Sequence, residues 1–217
     1  MKQTEIKDLL SIPIRFVSIA VIFLLTYFVM AQDFKLGEIK ENGYVENTQL
    51  LFLGITMIVL IVLAVKYSTL RLYNIILALF FFTHFVREND ARFEDYMFEY
   101  AWNIPAYSAV LVAVVLLAKN WKKYLNQLYS IKESIHFGIL IVGLAILHLF
   151  SRLYGKKTNW MGLFEIIDAP MEQYRSIKDA SEECVELLAY SIILYSVFEL
   201  IFVTKKLSNP TKSARQD

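Results

Sequence analysis

The sequence predicts an all-α membrane protein: a polytopic bundle of about six transmembrane helices, both termini in the cytoplasm, with short amphipathic helices at the interface. Three observations predict it. Apolar residues make up 57% of the 217 and gather into about six runs of roughly 15–21 residues, near the length that crosses a bilayer. Mean hydropathy is +0.46. Charge is segregated between alternate loops although Lys+Arg (22) nearly balance Asp+Glu (21). This composition excludes a soluble enzyme, a disordered tail protein and a nucleic-acid binder.

The first run, Phe16 to Ala31, follows Pro13 and Arg15. Proline suits a helix start, and arginine can snorkel to the interface. The basic start and Val29-Met30-Ala31 also fit a signal peptide, but the run is long for its apolar region, which favours an uncleaved helix. The second run, Leu50 to Val65, carries no charge, and the third, Leu72 to Val86, is interrupted only by Asn74 and His84. The fourth spans Ile104 to Ala118 behind Pro105, the fifth Phe137 to Ser151 around His148, and the sixth Cys184 to Thr204 with Glu186 and Glu199 inside. Residues 1–207 are read as one transmembrane domain. The polar stretch 208–217, which contains Asn209-Pro210, is read as a disordered cytoplasmic tail. The single Cys184 excludes an internal disulfide.

Orientation follows from positive charges in alternate loops. With the N-terminus inside, the inner segments hold 13 positive and 4 negative charges, and the outer segments 9 positive and 16 negative. That bias places both termini in the cytoplasm of a plasma or inner membrane and turns an acidic face outward. Three loops carry helical spacing of their own: Phe93, Tyr96, Met97, Tyr100 and Ala101; Trp121, Tyr124, Leu125 and Leu128 among lysines; and Trp160, Leu163, Phe164 and Ile167. All three are expected to lie in the interface plane. Gly54, Gly138, Gly143 and Ala145 offer sites of close helix approach.

Ionisable residues at membrane depth are costly, so each is a functional candidate. His84 lies near the outer end of the third run, four residues before Glu88 and therefore on its helix face, with Arg87 adjacent. His148 lies near the outer end of the fifth, four before Arg152. The third and fifth runs point the same way, so both histidines should reach similar depth. Glu182, Glu183 and Glu186 descend from the same surface at the start of the sixth, and Glu46 completes an outer ring. Glu182 and Glu183 also suit the first turn of a helix capped by Ser181, whereas Glu186 lies a full turn deeper. Glu199, six residues before Lys205, is expected to form a structural pair with Lys66 or Arg71.

These residues support competing functions. The plainest is a non-catalytic membrane scaffold, sensor or partner subunit with an acidic outer face, its partners being membrane lipids or another membrane protein. The second is a membrane-embedded lipid hydrolase or transferase. There His84, Glu88, His148 and Glu186 form the catalytic shell, and Arg87 and Arg152 hold an anionic headgroup. In this reading His84, His148 and Glu186 bind a divalent metal such as zinc, which takes neutral imidazole and ionised carboxylate and activates water. A third is b-type haem ligated by His84 and His148.

Overall fold

The computed structural model describes residues 3–36, 43–167 and 170–208. Those residues are helical and form no strand. In chain order the helices are α1 (Gln3–Lys35), α2 (Tyr44–Lys66), α3 (Arg71–Arg87), α4 (Asp90–Tyr96), α5 (Asn103–Ile131), α6 (Ile135–Tyr154), α7 (Lys157–Ile166) and α8 (Met171–Ser208). Five of them, α1, α2, α5, α6 and α8, contain segments long and apolar enough to cross a membrane. The sixth expected crossing, α3, has 17 residues, about 25 Å at 1.5 Å per residue. It is also heavily buried: Leu72, Tyr73, Ile76, Leu77, Ala78, Phe81 and Val86 all face inward. The expected tail falls outside the described residues beyond Ser208, which itself ends α8.

The core joins α2, α3, α6 and α8 through Leu53, Leu60, Leu77, Phe81, Leu140, Leu147, Tyr190, Ile193 and Val197. α8 packs on α2 and α6, and α3 packs on α2 and α5. The elements alternate in direction. The start of α3 meets the end of α5, because Gln127 accepts from the Tyr73 amide at 2.8 Å. It also meets the start of α6, because the Tyr73 hydroxyl lies 2.8 Å from His136 Nε2. His136 Nδ1 sits 2.7 Å from the Ser196 carbonyl; a carbonyl only accepts, so Nδ1 carries the proton in the neutral ring and Nε2 accepts from Tyr73. Thr69 and Ser208 close the same end at 3.1 Å. His84, on the last turn of α3, lies at the opposite end.

α1 packs on both α8 and α2, and almost none of its most apolar stretch is buried. Two polar clasps hold it. At one end Arg15 meets Glu199 in a two-pronged pair of 2.9 and 3.1 Å, joined by the Tyr195 hydroxyl at 3.0 Å. At the other, buried Asp33 accepts from the amides of Tyr44 and Val45 at 3.0 and 2.7 Å, satisfying donors that the first turn of α2 would otherwise leave open. Between the clasps an apolar crevice of about 270 Å³ opens between α1, α6 and α8, lined by Ile19, Phe23, Gly138, Val142 and Ile192.

The structure corrects several expectations. Glu199 pairs with Arg15, not with Lys66 or Arg71; Arg71 instead caps the Ala64 carbonyl at 2.9 Å. Pro13 lies inside α1, not at its start. The Trp121–Leu128 segment is no separate interfacial helix but continues α5 across a break at Asn120, whose side-chain amide takes the Leu116 carbonyl. It turns toward the bundle, where Tyr124 stacks on Tyr73. The Phe93–Ala101 pattern stops at Tyr96, since Met97 leaves helical geometry and Tyr100 adopts φ 62° with its amide on Glu94. α7 does form over the third pattern, but buried Phe164 ties it edge-on to Tyr174 of α8.

Of the small residues, only Gly143 marks a tight helix contact. A Cβ there would lie 2.7 Å from Ile193 Cγ1, whereas Gly54 and Gly138 face open space. Gly143→Val should therefore destabilise the α6–α8 contact by about 1–3 kcal/mol. Gly138→Ala should be neutral or mildly stabilising, since alanine is the better helix former. Thermal unfolding in detergent, followed by circular dichroism, checks the contrast.

Candidate functional site

The site lies where α2, α3, α6 and α8 end together, opposite the Arg15–Glu199 clasp. α8 supplies its floor. The helix runs unbroken from Met171, so Ser181 is not an N-cap as expected; its hydroxyl donates to the Ile177 carbonyl one turn back. Glu182 and Glu183 are therefore not first-turn carboxylates, and the dipole account of them falls away.

α6 brings His148 through a local irregularity. Ile146–Phe150 form a single π turn, a feature that often accompanies functional sites. Its cause is visible in Ser151. The Ser151 hydroxyl takes the Leu147 carbonyl at 2.5 Å, the acceptor its own amide would use in an α-helix. The amide bonds Ile146 instead, five residues back. The widened turn carries His148 against His84, with ring centroids 5.1 Å apart and planes tilted by 47°. Phe80 packs edge-on to both rings, at 4.8 and 5.9 Å.

The carboxylates collect beside this pair. Tyr190, fully buried on α8, donates to Glu88 at 2.8 Å and lies 3.5 Å from His84 Nδ1. With its proton given to Glu88, the phenol oxygen can only accept from His84. Nδ1 then carries the proton in the neutral ring and Nε2 keeps a free lone pair. Arg87 bonds Glu88 at 2.9 Å and reaches Glu186 at 3.5 Å. Arg152 bonds Glu182 at 2.8 Å and reaches Glu186 at 3.3 Å, and Lys178 supports Glu182 at 3.3 Å. Glu186, 2% exposed, sits at the centre, with the Ser151 hydroxyl 3.4 Å away. Gln49 of α2 donates to the Glu183 carboxylate and main-chain carbonyl, both at 3.0 Å.

The expected residues thus lie close together: His84 against His148, and Glu88 and Glu186 bridged by Arg87. Glu46 stays in the first turn of α2, half-buried. The expected ligand set of His84, His148 and Glu186 is not the tightest group of donors. Among the described residues that group is Glu88, Glu183 and Glu186, whose ligand atoms all lie within 4.8 Å of one another. Tyr190, Gln49 and Ser151 were not legible as site residues. Tyr190 falls four residues after Glu186, and that spacing was the one available signal.

No known protein family, curated protein or solved structure matches this chain.

Tyr190→Phe removes the hydroxyl that joins His84 to Glu88 while keeping the ring. It should lower stability by about 1–2 kcal/mol, because Glu88 loses a charged hydrogen bond and the buried ring is unchanged. The midpoint of thermal unfolding in detergent would register this.

Proposed function

We propose that α1, α2, α3, α5, α6 and α8 all cross the bilayer, with both termini in the cytoplasm of a plasma or inner membrane. The site at the outward end is then that of a membrane-embedded hydrolase or transferase acting on lipid headgroups. For the crossings, the support is that the two ends of α3 lie at the two ends of the bundle, as those of its neighbours do. The side on which the basic loops fall supports the orientation. A cysteine placed at Asp95 should react with an impermeant maleimide on intact cells, and one placed at Lys122 only after permeabilisation. The reverse pattern would invert the topology.

For the activity, the observation that carries the reading is the convergence of His84, His148, Tyr190, Glu88 and Glu186 from three separate helices at one end of the bundle. Ionisable groups are costly to insert into membranes, which makes each buried one a functional candidate. His84, oriented through Tyr190, serves as the general base toward water or an acceptor hydroxyl. Arg87 and Arg152, half-exposed at the rim, meet an anionic headgroup.

A non-catalytic scaffold, sensor or partner subunit is the second reading, and the ion pairing favours it. Both guanidinium groups are already engaged by carboxylates of the same network, as in a lock between helices. Haem b does not fit, since the imidazoles stand 5.1 Å apart with Phe80 against both and leave no gap for a porphyrin.

Proteoliposomes of mixed phospholipids and sphingolipids, with products followed by mass spectrometry, decide between the two. The wild type should convert at least one lipid class, and His84→Gln should slow it about 10²–10⁴-fold, the usual contribution of a general base. Wild-type protein that turns over nothing above the His84→Gln background would leave the scaffold reading standing.

A further inference from the structure

The outward site contains a group of donors that the base chemistry above leaves unused. Glu88, Glu183 and Glu186 crowd one carboxylate oxygen each into a space 4.8 Å across. Three like charges at that spacing in a low-dielectric setting need strong compensation, and the compensation present is slack. Glu186 is all but inaccessible, yet its partners stand at 3.3 and 3.5 Å. Charge-assisted bonds are ordinarily near 2.7–2.9 Å. Lys178 is shared with Asp179 at 2.8 Å, so five carboxylates (Asp179, Glu182, Glu183, Glu186 and Glu88) face three cations (Arg87, Arg152 and Lys178) and negative charge is in excess.

Gln49 is a second and independent sign. Its side chain is fully buried and aimed into the cluster, with its amide nitrogen on the Glu183 carboxylate. Its carbonyl oxygen Oε1 is buried and has no hydrogen-bond partner. A buried acceptor without a donor costs free energy. Turning the amide over gives no relief, because oxygen would then face carboxylate. An acceptor stranded beside Glu183, one of the three clustered acids, calls for a cation.

We propose that Glu88, Glu183, Glu186 and the Gln49 carbonyl bind one hard divalent cation of the magnesium, calcium or manganese class. An all-oxygen donor set of carboxylates and an amide carbonyl suits those ions, whereas zinc favours nitrogen and sulfur. Each carboxylate has about four lone-pair sites, so Arg87 and Arg152 can keep their oxygens as an outer shell while the ion takes others. Tyr190 joins Glu88 to His84, which sets the ion one hydrogen-bonded step from the base. The inference rests on the reading above for its outward placement, but its test reads binding and not turnover.

Full-length protein in phosphatidylcholine nanodiscs is titrated with Mn²⁺, and free ion is counted by electron paramagnetic resonance. The expected result is saturable uptake of a single ion per chain, displaced by Mg²⁺ or Ca²⁺. Uptake should weaken about tenfold or more in Glu183→Gln and Gln49→Leu and stay unchanged in His148→Gln. Should a variant fail to fold, the wild type alone still decides, because Mn²⁺ must raise its unfolding midpoint and a chelator must reverse the rise. No saturable uptake by the wild type, or uptake indifferent to Glu183→Gln and Gln49→Leu, overturns the proposal; a proton shared among the carboxylates would give the first of these results. Intact Mn²⁺ uptake without lipid turnover would overturn the headgroup reading alone, and turnover without uptake would overturn the cation alone.

Discussion

Hydrocarbon offers a carboxylate nothing to bind, and this fold is organised by that constraint. Glu186 and Glu199 both lie on α8, at 2% and 5% exposure, and each must find its partners within the protein. Glu199 takes Arg15 and Tyr195; Glu186 takes Arg87 and Arg152. Satisfying these two acids sets the level at which α1, α3 and α6 bring their arginines to α8, while among the described residues α2 packs on α8 without an ion pair to either acid. α1 must bring its arginine to one level, and α3 and α6 must bring theirs to the other. The leucines and isoleucines between then fill the space that the polar contacts have defined. Apolar packing cannot set register in this way, because lipid tails are as apolar as the side chains they would replace.

α8 is consequently the axis of the molecule. Two-thirds of its most apolar window is buried, against 6% for α1. It carries polar groups toward both ends, Glu183, Glu186 and Tyr190 toward one, Ser196 and Glu199 toward the other. The two ends differ in kind. At the Arg15 end some polar contacts are short, a two-pronged ion pair and a Tyr73–His136–Ser196 relay of 2.8 and 2.7 Å, beside the buried and unpartnered Asn74 amide and Thr204 hydroxyl. At the His84 end they are longer around Glu186, and the Gln49 amide oxygen is unpartnered as well. A fully satisfied network rigidifies a fold, and each unpartnered buried group at either end is costly.

Much of this was legible from residue order. Counting from Arg87 and Arg152 put His84 and His148 at one depth, and their rings do meet. Counting inward from the acidic loop singled out Glu186. Two kinds of information were not legible. The partner of a buried acid is set by which helix neighbours which, so Arg15, 184 positions from Glu199, was passed over for the nearer Lys66 and Arg71. The aim of a side chain also depends on local helix geometry. Neither the π turn that Ser151 induces nor the bend at Asn120 follows from hydrophobic period, since one hydroxyl or amide can reassign a single carbonyl while the pattern stays intact. Tyr190 and Gln49 went unread for a related reason: a tyrosine or glutamine in an apolar run is unremarkable until its neighbour across the interface is known.

The clasps on α1 bear on the surroundings the protein tolerates. Arg15 and Asp33 are 18 residues apart on one helix, a rise of about 27 Å, and α3 at about 25 Å is of similar extent. Both fall short of the ~30 Å hydrocarbon layer of an average bilayer. A helix clasped by polar contacts near its two ends, with a lipid-facing crevice and little buried surface between, has little packing with which to resist stretching. Thick, sterol-rich leaflets would draw both fasteners into the acyl region, while a thinner layer lets them rest among the headgroups. Bilayer thickness is thereby coupled to the docking of α1 and, through Asp33 and the first turn of α2, to Gln49 and the acids it holds.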